Sequence, residues 1–113
     1  MPRAATTSDV FNAVAEPRRR EILDALAEGE ASVGDLVTRL HLPQPQVSKH
    51  LGVLRQVDLV TCRVAGRQRV YRLHAEPLQP LHDWVRQFEA LWNDRLDRLD
   101  TYMLTLQHKK DNR

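Results

Sequence analysis

The chain has one cysteine, Cys62, among its 113 residues, only four glycines, and 5% aromatic side chains. A lone cysteine excludes an internal disulfide framework, and with it the small secreted scaffolds that bridges hold together. No apolar run approaches the roughly 18 residues of a membrane span. The first ten residues, "MPRAATTSDV", lack the apolar core of a signal peptide. A cytoplasmic location without membrane contact is the expectation. Also missing are a phosphate-cradling glycine loop, a Ser/His/Asp set and paired acids in a plausible cleft, so no catalysis is expected.

What is present suffices to fold. Apolar residues make up 42% and charged residues 28%, too apolar for a disordered chain. The length fits one domain over residues 1–113. Net charge is +2, but residues 41–75 hold six basic side chains against one acidic, while the flanking segments are slightly acidic. A basic block on a nearly neutral protein points to a polyanionic partner.

Hydrophobic spacing organises the chain into a mainly α (α+β) fold. Val10, Phe11 and Val14 mark a short helix that Ser8 can cap. Pro17 opens a second helix, "PRRREILDALAEG", with Ile22, Leu23 and Leu26 as its buried stripe. In "SVGDLVTRL", Ser32 and Asp35 approximate a capping box for a third. The stretch "LPQPQVSKHLGVLR" then begins a helix behind two prolines. Each proline pushes its predecessor out of helical geometry, so Leu42 and Gln44 are expected to be extended and Pro45 to start a helix over about 45–56. Val47, Leu51 and Leu54 face inward, and the outward face is polar without an acid. "VTCRV", the turn "AG" and "RQRVYRL" make a basic two-stranded hairpin over about 60–73.

After Pro77 and Pro80, Leu78, Leu81, Val85, Phe88, Trp92, Leu96, Leu99, Met103 and Leu106 recur at nearly coiled-coil spacing with one shift near Trp92. A continuous helix over 78–107, ahead of a tail at 108–113, would be roughly 40 Å long. The core of residues 8–75 is only about 25 Å across. Part of that stripe therefore needs a partner, and a second copy of the chain is the simplest, with Phe11, Leu81, Val85, Phe88, Trp92, Leu96 and Leu99 as its interface.

Helix, tight turn, helix, basic hairpin is the order of a winged helix-turn-helix, whose second helix enters the major groove. "LPQPQVSKHLGVLRQVDLVTCRVAGRQRVYRL", with "VFNAVAEPRRREILDAL" upstream, resembles the ArsR/SmtB-type transcriptional regulators, whose recognition helix reads Gln-x-x-(Val/Ile)-Ser-x-His-Leu-x-x-Leu. The resemblance implies a homodimeric repressor that binds double-stranded operator DNA and releases it to an effector, here unnamed. It puts Gln44, Gln46, Ser48, Lys49, His50 and Arg55 on the recognition helix and Arg63, Arg67 and Arg69 on the wing. The chemistry suits the assignment: Gln pairs with adenine edges, Ser with bases or phosphates, Lys and Arg with phosphates.

Two positions depart from the family pattern. Asp58 stands where glycine is usual before the strand; Asp tolerates left-handed backbone better than most residues. Ser32 and Gly34 occupy the positions of the Cys-x-Cys of soft-metal sensors, so that thiolate site is absent. For a second kind of metal site only His82 and Asp83 are on hand. No metal and no cofactor are expected. The competing reading is a protein-interaction module that uses the same scaffold without reading DNA.

Overall fold

The computed structural model describes residues 9–95 together with 98 and 103. Helices α1 (Val10–Ala15) and α2 (Pro17–Ala27) precede a short strand β1 (Ala31–Ser32), then helices α3 (Val33–Leu40) and α4 (Gln44–Gln56). Strands β2 (Val60–Ala65) and β3 (Gln68–Leu73), a 3-10 turn at Glu76–Leu78 and helix α5 (Gln79–Arg86) follow. The chain divides into two units, residues 1–81 and 82–113.

In the first unit the termini of each helix are fixed by local chemistry. Asp9 caps α1 by accepting from the Phe11 N–H at 2.9 Å, while Ser8, the cap expected from sequence, lies outside the described residues. Glu16 caps α2 with Pro17 behind it. The capping box on α3 is complete: Ser32 Oγ accepts from the Asp35 N–H and the Asp35 carboxylate from the Ser32 N–H, both at 3.1 Å. Helix α3 ends on His41 in left-handed geometry, φ 56°.

Helix α4 starts one residue earlier than its prolines suggest. Pro43 is the cap, its carbonyl accepting from Gln46 and Val47, so Gln44 is helical rather than extended. The pre-proline restriction is a preference, and Pro45 in the first turn forfeits only an N–H that has no intrahelical acceptor. At the other end Asp58, φ 62°, takes the position glycine usually fills. The Leu59 N–H reaches back to Leu54 and the Asp58 N–H to Arg55, at 2.9 and 3.0 Å, which is a Schellman closure. His74 pins this turn from β3: its N–H donates to the Leu59 carbonyl and its Nδ1 lies 2.8 Å from the Asp58 carbonyl.

Ile22, Leu36, Val47, Leu51, Leu54 and Leu59 are fully buried and form the core, with Leu23, Leu26, Val60 and Tyr71 around them. The expected hairpin pairs Val60 with Leu73 through to Ala65 with Gln68, closing on Gly66, φ 65°, and Arg67. The sheet has a third strand that periodicity did not reveal: β1 pairs antiparallel with β3, Ala31 opposite Tyr71 and Ser32 opposite Val70, giving the order β1-β3-β2. Two residues are too few to show an alternating pattern.

In the second unit the expected continuous helix over 78–107 is interrupted. Helix α5 stops at Arg86, residues 87–88 turn, and helix resumes over 89–95. The Gln87 side-chain amide donates to the Trp84 carbonyl at 3.0 Å, taking the acceptor a continuing helix would offer to Phe88. The Phe88 N–H instead bonds to Val85, and the Phe88 carbonyl receives Leu91 and Trp92. Trp84 and Phe88 pack edge to face, ring centroids 5.3 Å apart. Apart from Arg98 and Met103, which are helical, the remainder of the expected helix, including Leu96, Leu99 and Leu106, lies outside the described residues. Among the described residues no helix is long and apolar enough to cross a membrane.

Two substitutions test this account by urea denaturation. Leu51→Ala, at a fully buried site, is expected to lower unfolding free energy by about 2–5 kcal/mol through lost burial and a residual cavity. Ser32→Ala removes one half of the capping box and is expected to cost about 1 kcal/mol.

Candidate nucleic-acid interface

With Val47, Leu51 and Leu54 turned inward, the opposite side of α4 is left to solvent. Gln44, Gln46, Ser48, Lys49 and Arg55 are all exposed there. Gly52 is exposed as well, and a Cβ built on it would meet nothing within 4 Å. The first turn of α4 thus offers two glutamines and a serine on a bare polar surface, with Lys49 beside them.

The wing approaches the same end of the helix. Gln44 and Ser48 from α4, Arg67 and Arg69 from the hairpin, and Ser32 with Gly34 at the start of α3 line one open cleft of about 380 Å³. No carboxylate lines it. The cleft is therefore a concavity with two guanidinium groups on one wall and neutral hydrogen-bonding side chains on the other. Val33, Gln68 and Tyr71 complete it. Burial pushes the Tyr71 phenol above its ordinary range, the neighbouring Cys62 adds to the rise, and Arg55 and Arg69 oppose it. Tyr71 therefore keeps its proton beside Arg55 and Arg69.

The structure therefore unites four of the residues expected from sequence, Gln44, Ser48, Arg67 and Arg69, while Gln46, Lys49 and Arg55 sit on the exposed flanks of α4 outside the cleft. Two expected residues are directed elsewhere. Arg63, in the middle of β2 opposite Val70, is held by Glu30, its Nη2 2.5 Å from the carboxylate. His50 is drawn off the exposed face: its side chain is 14% exposed, Nε2 lies 3.9 Å from Glu16 and Nδ1 3.5 Å from an Arg19 Nη. Burial holds His50 below its ordinary pKa of 6.5; Glu16 works against this, and Arg19, Lys49 and Arg18 work with it. The helical angle alone put His50 near the edge of the buried face, and neighbours on α2 resolved which side it joined.

Gln68 belongs to the cleft and had escaped the sequence reading; its place between Arg67 and Arg69 in the hairpin return was the available signal. Val64, near the tip of the hairpin, is 69% exposed. Among the described residues no group of three or more His, Cys, Asp and Glu side chains converges to hold a metal ion. The residues that bring Ser32 and Gly34 to the cleft supply one hydroxyl and no thiolate.

Known proteins resemble this chain in sequence and fold. Residues 16–61 match the family model described as "Bacterial regulatory protein, arsR family". The transcriptional repressor SdpR of Bacillus subtilis is 32% identical over 81 residues, which span 72% of this chain and 90% of that protein. The HTH-type transcriptional regulator Rv2034 of Mycobacterium tuberculosis is 40% identical over 78 residues, 69% of this chain and 73% of its own. Among solved structures, an ArsR-like transcriptional regulator from Rhodococcus sp. RHA1 superposes with a TM-score of 0.64 at 30% identity, covering 83% of this chain and 89% of that one. Regulators of this kind are not enzymes. Fold, site chemistry and the extent of these matches converge, and the chain belongs to the arsR family of bacterial transcriptional regulators.

Proposed function

We propose that this regulator is a homodimeric repressor that binds a palindromic operator in the bacterial cytoplasm, reading base edges with α4 and gripping the backbone with the wing. The observation that carries this reading is the acid-free cleft where Gln44 and Ser48 meet Arg67 and Arg69. Gln44, Gln46 and Ser48 occupy the groove-facing turn, where amide groups pair with adenine and hydroxyls with bases or phosphates. Lys49, Arg55, Arg67 and Arg69 neutralise phosphates. Arg63 contributes through the general field of the wing, since Glu30 already partners it.

Two copies are needed because one recognition helix spans only half a site; a two-fold dimer offers a second helix about one helical turn, roughly 34 Å, away. The dimer surface we assign comprises Phe11, Leu81, Val85, Phe88 and Trp92, with Leu96 and Leu99. In support, Trp84, Leu91 and Trp92 are 54%, 61% and 46% exposed in the single chain, a concentration of apolar surface typical of interaction sites.

Mobility-shift titration against the gene's own upstream DNA and a random duplex tests the core of the reading. The upstream duplex is expected to bind preferentially, with affinity falling steeply with salt. Lys49→Glu with Arg67→Glu is expected to flatten that salt slope by about one unit per lost phosphate contact, and Gln44→Ala to relax preference at one base pair at a cost of about 1–3 kcal/mol. Equal binding to both duplexes would refute sequence-specific recognition. Trp92→Glu is expected to shift the sedimentation equilibrium from dimer to monomer.

A further inference from the structure

His50 belongs to a polar junction that DNA contact does not account for. Arg19, in the first turn of α2, spends its guanidinium in three directions. Nε donates to the Ala13 carbonyl at 2.6 Å and Nη2 to the Asn12 carbonyl at 3.2 Å, closing the C-terminal end of α1. The remaining Nη1 points at His50 Nδ1 on α4, 3.5 Å away. A guanidinium has only donors, so this contact requires Nδ1 to be the acceptor and the ring proton to sit on Nε2. That leaves Nε2–H facing the Glu16 carboxylate at 3.9 Å. Glu16 is itself fixed, since it accepts from the Arg19 N–H at 3.1 Å as the cap of α2.

We propose that His50 is a positioning residue for DNA binding: its neutral ring accepts from Arg19 and ties the recognition helix to the α1–α2 corner, and protonation of Nδ1 breaks that tie. The inference rests on the DNA-binding reading above. The tie enters midway along α4, between the groove-facing first turn and the Schellman closure. The apolar seam of Val47, Leu51 and Leu54 resists separation of the helix from the core and fixes its rotation, but it is non-directional and resists small slides along the helix axis far less. A directional hydrogen bond supplies the missing constraint, and small losses of geometry at such sites have large effects on recognition.

The charged groups around the ring set the sign. Glu16 favours the protonated ring; Arg19 and Arg18 from α2 and Lys49 from α4 itself disfavour it, as does burial. The folded-state pKa therefore lies below 6.5. Between that value and the ordinary one the unfolded chain binds more protons than the folded one, so stabilisation by the neutral ring is present above about pH 6.5 and is lost as pH falls. Operator affinity that depends on the tie should fall over the same window.

The test uses the full chain and a duplex recovered by wild-type selection from a random library, titrated from about pH 7.5 downward until ¹⁵N NMR shows the His50 ring protonated. His50→Leu, which fills the space without an acceptor, is expected to lose about tenfold in affinity at the higher pH, as for one hydrogen bond to a charged group. His50→Asn, whose Oδ1 can stand in for Nδ1, is expected to recover that loss and to remove the pH dependence. The ratio of wild-type to His50→Asn affinity should then fall in step with the fraction of His50 rings protonated, reaching about tenfold when the ring is fully charged. In parallel, ¹⁵N NMR of the imidazole should show the Nε2–H tautomer in wild type. A ratio that stays constant while the imidazole ¹⁵N signals show the ring becoming protonated, or an Nδ1–H tautomer, would overturn the positioning role. So would a changed base preference at one position with His50→Asn, which would make His50 a base contact. A wild-type chain that enriches no duplex would instead overturn the DNA-binding reading, whatever the ring's tautomer.

Discussion

Burial of one side of α4 is the constraint on which the remaining architecture depends. Val47, Leu51 and Leu54 have no exposure at all, and they lock into a core built by Ile22, Leu26, Leu36 and Leu59. Removing apolar side chains of this size from water contributes roughly 1.5–3 kcal/mol each, the largest favourable contribution available to a helix of thirteen residues. The seam orients the helix about its own axis. Because Pro43 fixes where the helix begins, it also settles which side chains occupy the solvent face of the first turn.

The seam alone would leave the polar surface of α4 incomplete. The hairpin supplies the second wall of the cleft, and its placement depends on the end of α4: the Schellman closure at Asp58 and Leu59 turns the chain directly into β2, and His74 returns from β3 to hold that turn. Strand β1 then anchors β3 from its other edge through Ala31 and Ser32. Ser32 thus has two duties, pairing in the sheet and capping α3, and both bring the start of α3 to the cleft. Hydrophobic burial fixes the orientation of α4, and hydrogen-bonded turns and edges deliver the arginines to it.

Most of the helical skeleton was legible from spacing because each helix carries its own buried stripe and its own cap. The readings that differed share a physical cause. Strand β1 exists only because β3 passes beside it, and two residues have no period. The interruption at Gln87–Phe88 comes from a side-chain amide competing for the Trp84 carbonyl, a choice the apolar stripe does not encode. Asp58, by contrast, adopted the left-handed geometry expected of it, because that tolerance is local to the residue.

The polar side chains divide along the same line. Residue identity and helical angle were enough to place Gln46, Ser48 and Lys49 on the exposed side, since Val47, Leu51 and Leu54 leave the helix only one way to turn; Gln44, expected to be extended, was assigned through the family resemblance. They were not enough for His50 or Arg63, whose directions depend on Glu16 and Arg19 in one case and Glu30 in the other, residues 31 to 34 positions away in the chain. Periodicity carries the burial of a helix because it repeats along the chain. Which charged group a side chain meets depends on how separate elements pack, and that information appears only when the chain has folded.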